Sequence, residues 1–335
     1  MKRILIIRLD GLGDTLLTLP LLDGLKTCWP DCEITFLASP RGTPVFEADH
    51  RVDQLWTVEP ASMSKKEKIA LGQRIRTAAF DGVFCLNEKF WPAIWTWMSY
   101  APICVGFDPG WTQPPKALLR RLTLTHRLPN PNDPALPSIH EVERYAALAA
   151  LAGCPDASGP SRLAVSAAAR DWADAAMASL NLTDAQVPVC LHLSAKWASE
   201  GWDDRTCLKA AGSLIARFPD LFLVVTAGPG EDRFFQDAAS VLPADRFHLF
   251  TALDLSQWAA LMEKCRALVS MDTGAVHLAA AVNVPVAAVF PELNFIHASS
   301  RWSPWQVAHL IIRRPSPASP DHFWAELGSA VEDLL

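Results

Sequence analysis

The 335-residue chain has no Cys-x-x-Cys pair, no excess of positive charge and no apolar run long enough to cross a bilayer unbroken. Its eight cysteines, at positions 28, 32, 85, 104, 154, 190, 207 and 265, stand mostly inside apolar runs. That placement argues against a zinc site and against a disulfide framework, and predicts reduced thiols in a cytoplasmic protein. The formal net charge of −6 and the pI near 5.8 argue against a general nucleic-acid binder, which needs clustered Lys and Arg to track phosphates. The longest apolar stretch, residues 90–107, is interrupted by Pro92 and Pro102; a spanning helix is excluded, and Trp91, Trp95 and Trp97 are left to line a cleft. No secretory h-region is expected either, because Ile4 to Ile7 run straight into Arg8 and Asp10. His140-Glu141 does not continue as a zincin motif, since Arg144 stands where the second histidine would be.

With 50% hydrophobic and 20% charged residues, the chain can bury two ordinary cores, and two domains are expected. Strand and helix signals alternate through the first half: residues 4–8, 15–28, 33–38, 54–58, 65–79 and 83–86. A loop-rich region holding Trp111, Pro114 and Pro115 follows, then a helix over residues 140–151. Gly153 to Pro160 reads as a linker. A second series succeeds it at 187–193, 207–218, 221–226, 232–241, 247–249, 256–265, 268–269 and 284–290. Strands separated by helical spans mean βαβ units and parallel sheets, so the expectation is an α/β protein of two Rossmann-like domains facing an interdomain cleft. The chain ends in a helix opened by Ser319 and Pro320, with Phe323, Trp324, Leu327, Val331 and Leu334 along one face.

Two stretches concentrate unusual residues. In LVSMDTGAVHLAAAVNVPVAAVF, residues 268–290, a strand gives way to a polar turn and a short Ala-rich helix that either Asp272 or Thr273 could cap. A helix N-terminus at the carboxyl end of a parallel strand presents free N–H groups and the positive end of the helix dipole, which suits an anion. The plainer alternative makes Asp272 a cap and His277 a core histidine. In RLDGLGDT, residues 8–15, a Gly-x-Gly follows the first strand, but Leu16 replaces the third glycine of a dinucleotide fingerprint. Asp14 is either a helix cap or a carboxylate at a cleft mouth, where a general base would serve. A third feature is the segment KALLRRLTLTHR, residues 116–127, the densest basic cluster in the chain. Its Lys116, Arg120 and Arg121 suit the phosphates and carboxylates of an anionic ligand or a lipid surface, with a solvated helix face as the alternative.

The opening ILIIRLDGLGDTLLTLPLLDGLK, together with SMDTGAVHLAAAVNVPVAAVF and HEVERYAALAALAG, resembles the heptosyltransferases of lipopolysaccharide core assembly, glycosyltransferase family 9. The resemblance implies the GT-B fold: an acceptor-binding domain over residues 1–155, a nucleotide-sugar domain over 165–315 and a helix, 319–335, packing back toward the first. It implies an inverting, metal-independent transfer of heptose from ADP-heptose to a lipopolysaccharide core or lipid A precursor, with no cofactor and no metal. Asp14 matches the catalytic base. Thr273 and Gly274 match residues whose N–H groups meet the donor pyrophosphate, and His277 a histidine on the same phosphates. Asp272 is left a capping role or a bond to sugar hydroxyls. Lys196 matches a phosphate-binding cation, Glu231 an acidic residue on the ribose hydroxyls, the alternatives being an exposed lysine and a first-turn carboxylate. Many members carry a lysine where Glu200 stands. The implied location is cytoplasmic, with room for peripheral contact at the inner membrane. Two alternatives stay open, another nucleotide-sugar donor or acceptor on this fold, or a non-catalytic sugar-nucleotide binding protein.

Overall fold

Strands such as RILIIR, Arg3–Arg8, and EITFLA, Glu33–Ala38, bury every residue after the first. Continuous burial without alternation means cover on both faces, the condition of a parallel sheet. The computed structural model describes residues 1–109, 114–129, 137–194, 196–197, 204–228, 241–314, 328–329 and 331–334. It divides into two compact units, the first Met1–Asp133 with Ile139–Ala164, the second Pro134–Ser138 with Val165–Leu335.

The first unit runs β1 (Arg3–Arg8), α1 (Leu12–Leu16), α2 (Leu19–Cys28), β2 (Glu33–Ala38), β3 (Gln54–Thr57), α3 (Lys65–Ala78), β4 (Gly82–Cys85), α4 (Phe90–Ser99), β5 (Ile103–Asp108), α5 (Pro114–Thr123), β6 (His126–Pro129) and α6 (Glu141–Leu151). Its six strands are all parallel, in the order β3-β2-β1-β4-β5-β6. The second unit runs α7 (Ala167–Ser179), β7 (Val187–Leu193), α8 (Asp204–Arg217), β8 (Leu221–Ala227), β9 (Phe247–Phe250), α9 (Leu255–Met262), β10 (Leu268–Met271), α10 (Gly274–Ala281), β11 (Val286–Pro291), α11 (Phe295–Trp302) and β12 (His309–Arg314). Its strands are again parallel, in the order β12-β11-β10-β7-β8-β9. Each unit thus repeats one doubly wound topology. Strand order reverses between β1 and β4 in the first and between β7 and β10 in the second, and the loops leaving the carboxyl ends of those strands open a crevice where such sheets bind ligands.

Several expectations are corrected. The helix expected over 15–28 is two helices, because Pro20 sits in the first turn of α2 and favours a restart there. The region after Phe107 is less loop-rich than its prolines suggest: Pro114 and Pro115 open α5, where the missing N–H costs nothing, and β6 extends the sheet. Trp95 does not line a cleft. It is fully buried among Leu5, Ile7, Ile75 and Val83, and its indole N–H donates to the Lys68 carbonyl at 2.8 Å. Trp97, two residues on, points outward and is 54% exposed. Of the terminal helix expected over 319–335, residues 319–327 lie outside the described ones; Val331 is buried in the second unit's core, and Arg217 pairs with Glu332 at 3.0 Å. Among the described residues, no helix is long and apolar enough to cross a membrane.

Candidate active site

In the first unit the site is built where β1 and β4 end side by side. The loop Leu9-Asp10-Gly11 leads into α1, whose cap is Gly11 with no side-chain capping bond. Asp14 therefore lies inside the first turn rather than capping it, and its carboxylate goes elsewhere. Arg8 Nη2 donates to Asp14 Oδ1 at 2.5 Å, while Arg8 Nη1 donates to the Leu86 carbonyl at 2.7 Å. Arg8 itself is buried, with its guanidinium 5.7 Å from the Tyr145 ring centre. A second carboxylate, Asp10, stands 3.4 Å from Arg8 Nε. Asp10 also accepts from Asn87 Nδ2 at 2.5 Å and pairs with Lys89 at 2.9 Å. Asn87 Oδ1 in turn accepts the Leu9 N–H at 2.6 Å, so the ends of β1 and β4 are tied across the reversal point.

Burial would push the Arg8 guanidinium toward neutrality, but the carboxylates around it, Asp14, Glu141 and Asp10, hold its charge, and its pKa lies above an ordinary arginine's. Arg8 is a fixed positive charge. Burial likewise raises the Tyr145 phenol well above its usual value, so it stays a neutral hydroxyl. The Asp14 side chain is about one-third exposed, and its Oδ2 has no hydrogen-bonding partner among the described residues.

The second unit builds the matching edge from β7 and β10. Thr273 is the N-cap of α10, its Oγ1 accepting the Ala275 N–H at 3.4 Å and lying 3.3 Å from Ser270 Oγ. Of the two candidate caps, Thr273 serves and Asp272 does not. Asp272 pairs instead with Lys196, whose Nζ lies 2.9 Å from Asp272 Oδ2 and donates to the Asp272 carbonyl as well. The two residues expected to serve separately hold each other across the reversal between β7 and β10. Gly274 opens α10, and His277 sits one turn in, 6% exposed, on a helix whose every residue from Ala275 to Ala281 is buried. His192 on β7 shares a hydrogen bond with Thr226 Oγ1 at 3.1 Å and packs at a tilt against Trp258 with ring centres 4.7 Å apart. Burial pushes its pKa down to about 4, so the ring is neutral near pH 7. Glu231 and Glu200 lie outside the described residues.

The basic cluster divides. Lys116 is exposed and Arg121 half-buried, with Arg121 Nε 3.1 Å from Asp108. Arg120 is 1% exposed, and its guanidinium donates to Cys85 Sγ at 3.1 Å and to the Asn87 and Lys89 carbonyls. Arg120 is thus turned inward rather than toward an anionic ligand; α5 lays that side chain onto the ends of β4 and α4. Sequence reasoning missed Arg8, Asn87 and Lys89. A charged residue closing the apolar strand RILIIR was a usable signal for Arg8; nothing local marks the other two.

The sequence model of Glycosyltransferase family 9 (heptosyltransferase) matches residues 68–323. The chain belongs to glycosyltransferase family 9. It is a glycosyltransferase, and the matched range holds Lys196, Asp272, Thr273 and His277, whereas Asp14 lies before it. Lipopolysaccharide heptosyltransferase 3 of Escherichia coli is 22% identical over 300 residues, 88% of this chain and 83% of that protein. Among solved structures, a family 9 glycosyltransferase from Veillonella parvula superposes with a TM-score of 0.80 at 19% identity, covering 99% of this chain and 97% of that one. A heptosyltransferase of E. coli solved with ADP gives 0.72 at 19% identity, covering 99% and 100%. At these identities the likeness establishes the fold, the GT-B class of two parallel α/β units.

Proposed function

We propose that the chain transfers heptose from ADP-heptose to a lipopolysaccharide core or lipid A precursor, with inversion and without a metal, in the cytoplasm. The observation that carries the reading is Asp14: a carboxylate at the reversal point of the first sheet, with Oδ1 engaged by a buried cation and Oδ2 open. An attacking hydroxyl must lose its proton as its oxygen bonds to the anomeric carbon, and Oδ2 is the atom that takes it. The first unit then holds the acceptor, with Lys116 and Arg121 toward its anionic groups. In the second unit the Thr273 and Gly274 N–H groups, His277 and Lys196 receive the charge that develops on the leaving diphosphate. Glu231 is assigned to the ribose hydroxyls. In this reading the reaction uses no metal and no cofactor. The relatives' names, one a lipopolysaccharide heptosyltransferase and one solved with ADP, support this donor and acceptor.

Asp14→Asn tests the base. It should lower transfer by at least about a hundredfold, within the usual range for a lost proton-transfer group, while ADP affinity holds. Retention of a tenth of wild-type turnover would place the base elsewhere. Activity should also persist in excess EDTA, and its loss would overturn the metal-free mechanism. A second donor is a specific rival, because Glu200 replaces a lysine common in the family; a thermal-shift panel of nucleoside diphosphates separates the two.

A further inference from the structure

Six of the eleven large apolar side chains that stand exposed among the described residues lie on one face of the first unit. They are Ile69 on α3, Phe90 and Trp97 on α4, Tyr100 just beyond it, and Leu118 and Leu122 on α5. The three helices are neighbours: α4 lies between α3 and α5, Met98 fills the space over Gly72, and Arg120 reaches back to the Lys89 carbonyl. Phe90 and Trp97 are spaced by seven and Leu118 and Leu122 by four, so each pair forms a stripe along the outside of its helix. Stripes so placed are unusual on a solvated surface, where large apolar patches mark something that covers them.

The charge on the same layer says what. Helices α3, α4 and α5 carry eight lysines and arginines against one acid, Glu67, in a chain whose net charge is −6. Only Arg120 of the eight is turned fully inward. Cations lie over the aromatic rings rather than apart from them: the Arg76 guanidinium is 4.5 Å above Tyr100, and the Lys68 ammonium 5.4 Å from the Trp91 ring centre. Indole and phenol rings beside aliphatic side chains, with flexible cations among them, are the composition of a surface that sits at a bilayer interface, where rings lodge at headgroup level and lysines reach lipid phosphates.

We propose that the outer face of α3, α4 and α5 docks on an anionic lipid bilayer. Pairing with a second copy through this face would set like charges against like, which disfavours self-association. Nucleic acid would satisfy the cations but leave Ile69, Leu118 and Leu122 with nothing to pack on. The face also reaches the candidate active site, since Lys89, immediately before α4, pairs with Asp10. The inference does not depend on which sugar is transferred.

The test is vesicle co-flotation of the full-length protein, on phosphatidylcholine alone and on phosphatidylcholine with phosphatidylglycerol. Wild type should float with the mixed vesicles at low salt and be released as salt rises. Trp97→Ser with Leu122→Ser should lower partitioning about tenfold or more, from the lost apolar burial. Lys65→Ser with Lys66→Ser should lower it roughly tenfold by weakening the attraction to anionic lipid. All four side chains are exposed, so both variants should melt within a few degrees of wild type. The proposal is overturned if wild type floats with neither vesicle, if both variants float as well as wild type, or if light scattering finds a dimer that Trp97→Ser with Leu122→Ser dissolves. No transfer assay is involved, so its failure is distinct from failure of the transfer reading.

Discussion

Arg8 Nη2 stands 2.5 Å from Asp14 Oδ1, and the same guanidinium has a second carboxylate, Asp10, 3.4 Å from its Nε. In the proposed transfer Asp14 accepts a proton and then ceases to balance Arg8. Asp10 remains, so the buried cation is never left without an anion, a condition that would cost several kcal/mol. In that reading Arg8 is a positioning residue: it fixes the Asp14 carboxylate and leaves Oδ2 for the acceptor hydroxyl. Arg8→Met should lower kcat about a hundredfold or more with little change in KM for the nucleotide sugar, a split that a general loss of structure would not produce. Arg8→Lys should recover part of it. In an Asp14→Asn background, Arg8→Met should cost almost nothing further, because the two act as one unit. Additive losses in that cycle would sink the assignment.

Lys196 and Asp272 make a parallel argument at the other edge. A lysine free in solution would gain about 1.5–3 kcal/mol from a charge-assisted bond to phosphate. Lys196 already holds such a bond to Asp272, and a diphosphate bound there as proposed must share or replace it. Lys196→Ala should therefore weaken ADP binding only about three- to tenfold. Asp272→Asn, which removes the competing anion and its repulsion of phosphate, should tighten binding. Isothermal titration with ADP checks both, and weaker binding by Asp272→Asn would mean that the aspartate orients the lysine rather than competing for it.

Arg120 was legible as a cation and illegible as a core residue. A sequence reports charge; it does not report that α5 turns residue 120 onto the Cys85 sulfur and the carbonyls that end β4. The same limit explains Asp272, where capping by Asp or Thr reads alike until the backbone places Thr273 in the extended conformation of a cap. It explains Trp95 and Trp97 too, two residues apart with opposite fates, because helical periodicity across Pro92 had first to be recognised. What was legible is the part with a period: alternating strand and helix signals gave the two parallel α/β series, and the turns at Asp14 and Thr273 were marked by residues that have little other use after a buried strand. The tie between β1 and β4 through Asn87 and Lys89 is a contact across some seventy-seven positions, and no local pattern carries it.

Arg120 supplies a prediction of its own. Arg120→Ser should leave the KM for the acceptor close to wild type and lower stability on the order of 2 kcal/mol or more, since three acceptor groups lose their donor inside a packed site. At this size that is a fall in Tm of several degrees. A normal melting curve with a raised acceptor KM would restore the binding role that burial denies it.

His192 gives the chain a pH dependence with a definite sign. Folded, its pKa is about 4; unfolded it returns to the ordinary value near 6.5. Between those two values the unfolded chain binds a proton that the folded chain refuses, so stability rises with pH across that window and is flat with respect to this group outside it. The proton is refused because the ring is enclosed between Trp258 and the Thr226 hydroxyl, with no acidic partner among the described residues to compensate its charge. Acidification from pH 6.5 to 4 should therefore cost on the order of 3 kcal/mol through this residue alone, at about 1.4 kcal/mol per unit of pKa difference. His192→Gln keeps a hydrogen-bonding group for Thr226 and cannot titrate. It should lower stability at pH 7 through lost packing on Trp258, and it should flatten the slope of stability against pH between 4 and 6.5. Urea melts of both proteins across that range decide the matter: parallel slopes would mean that His192 is not the group that titrates.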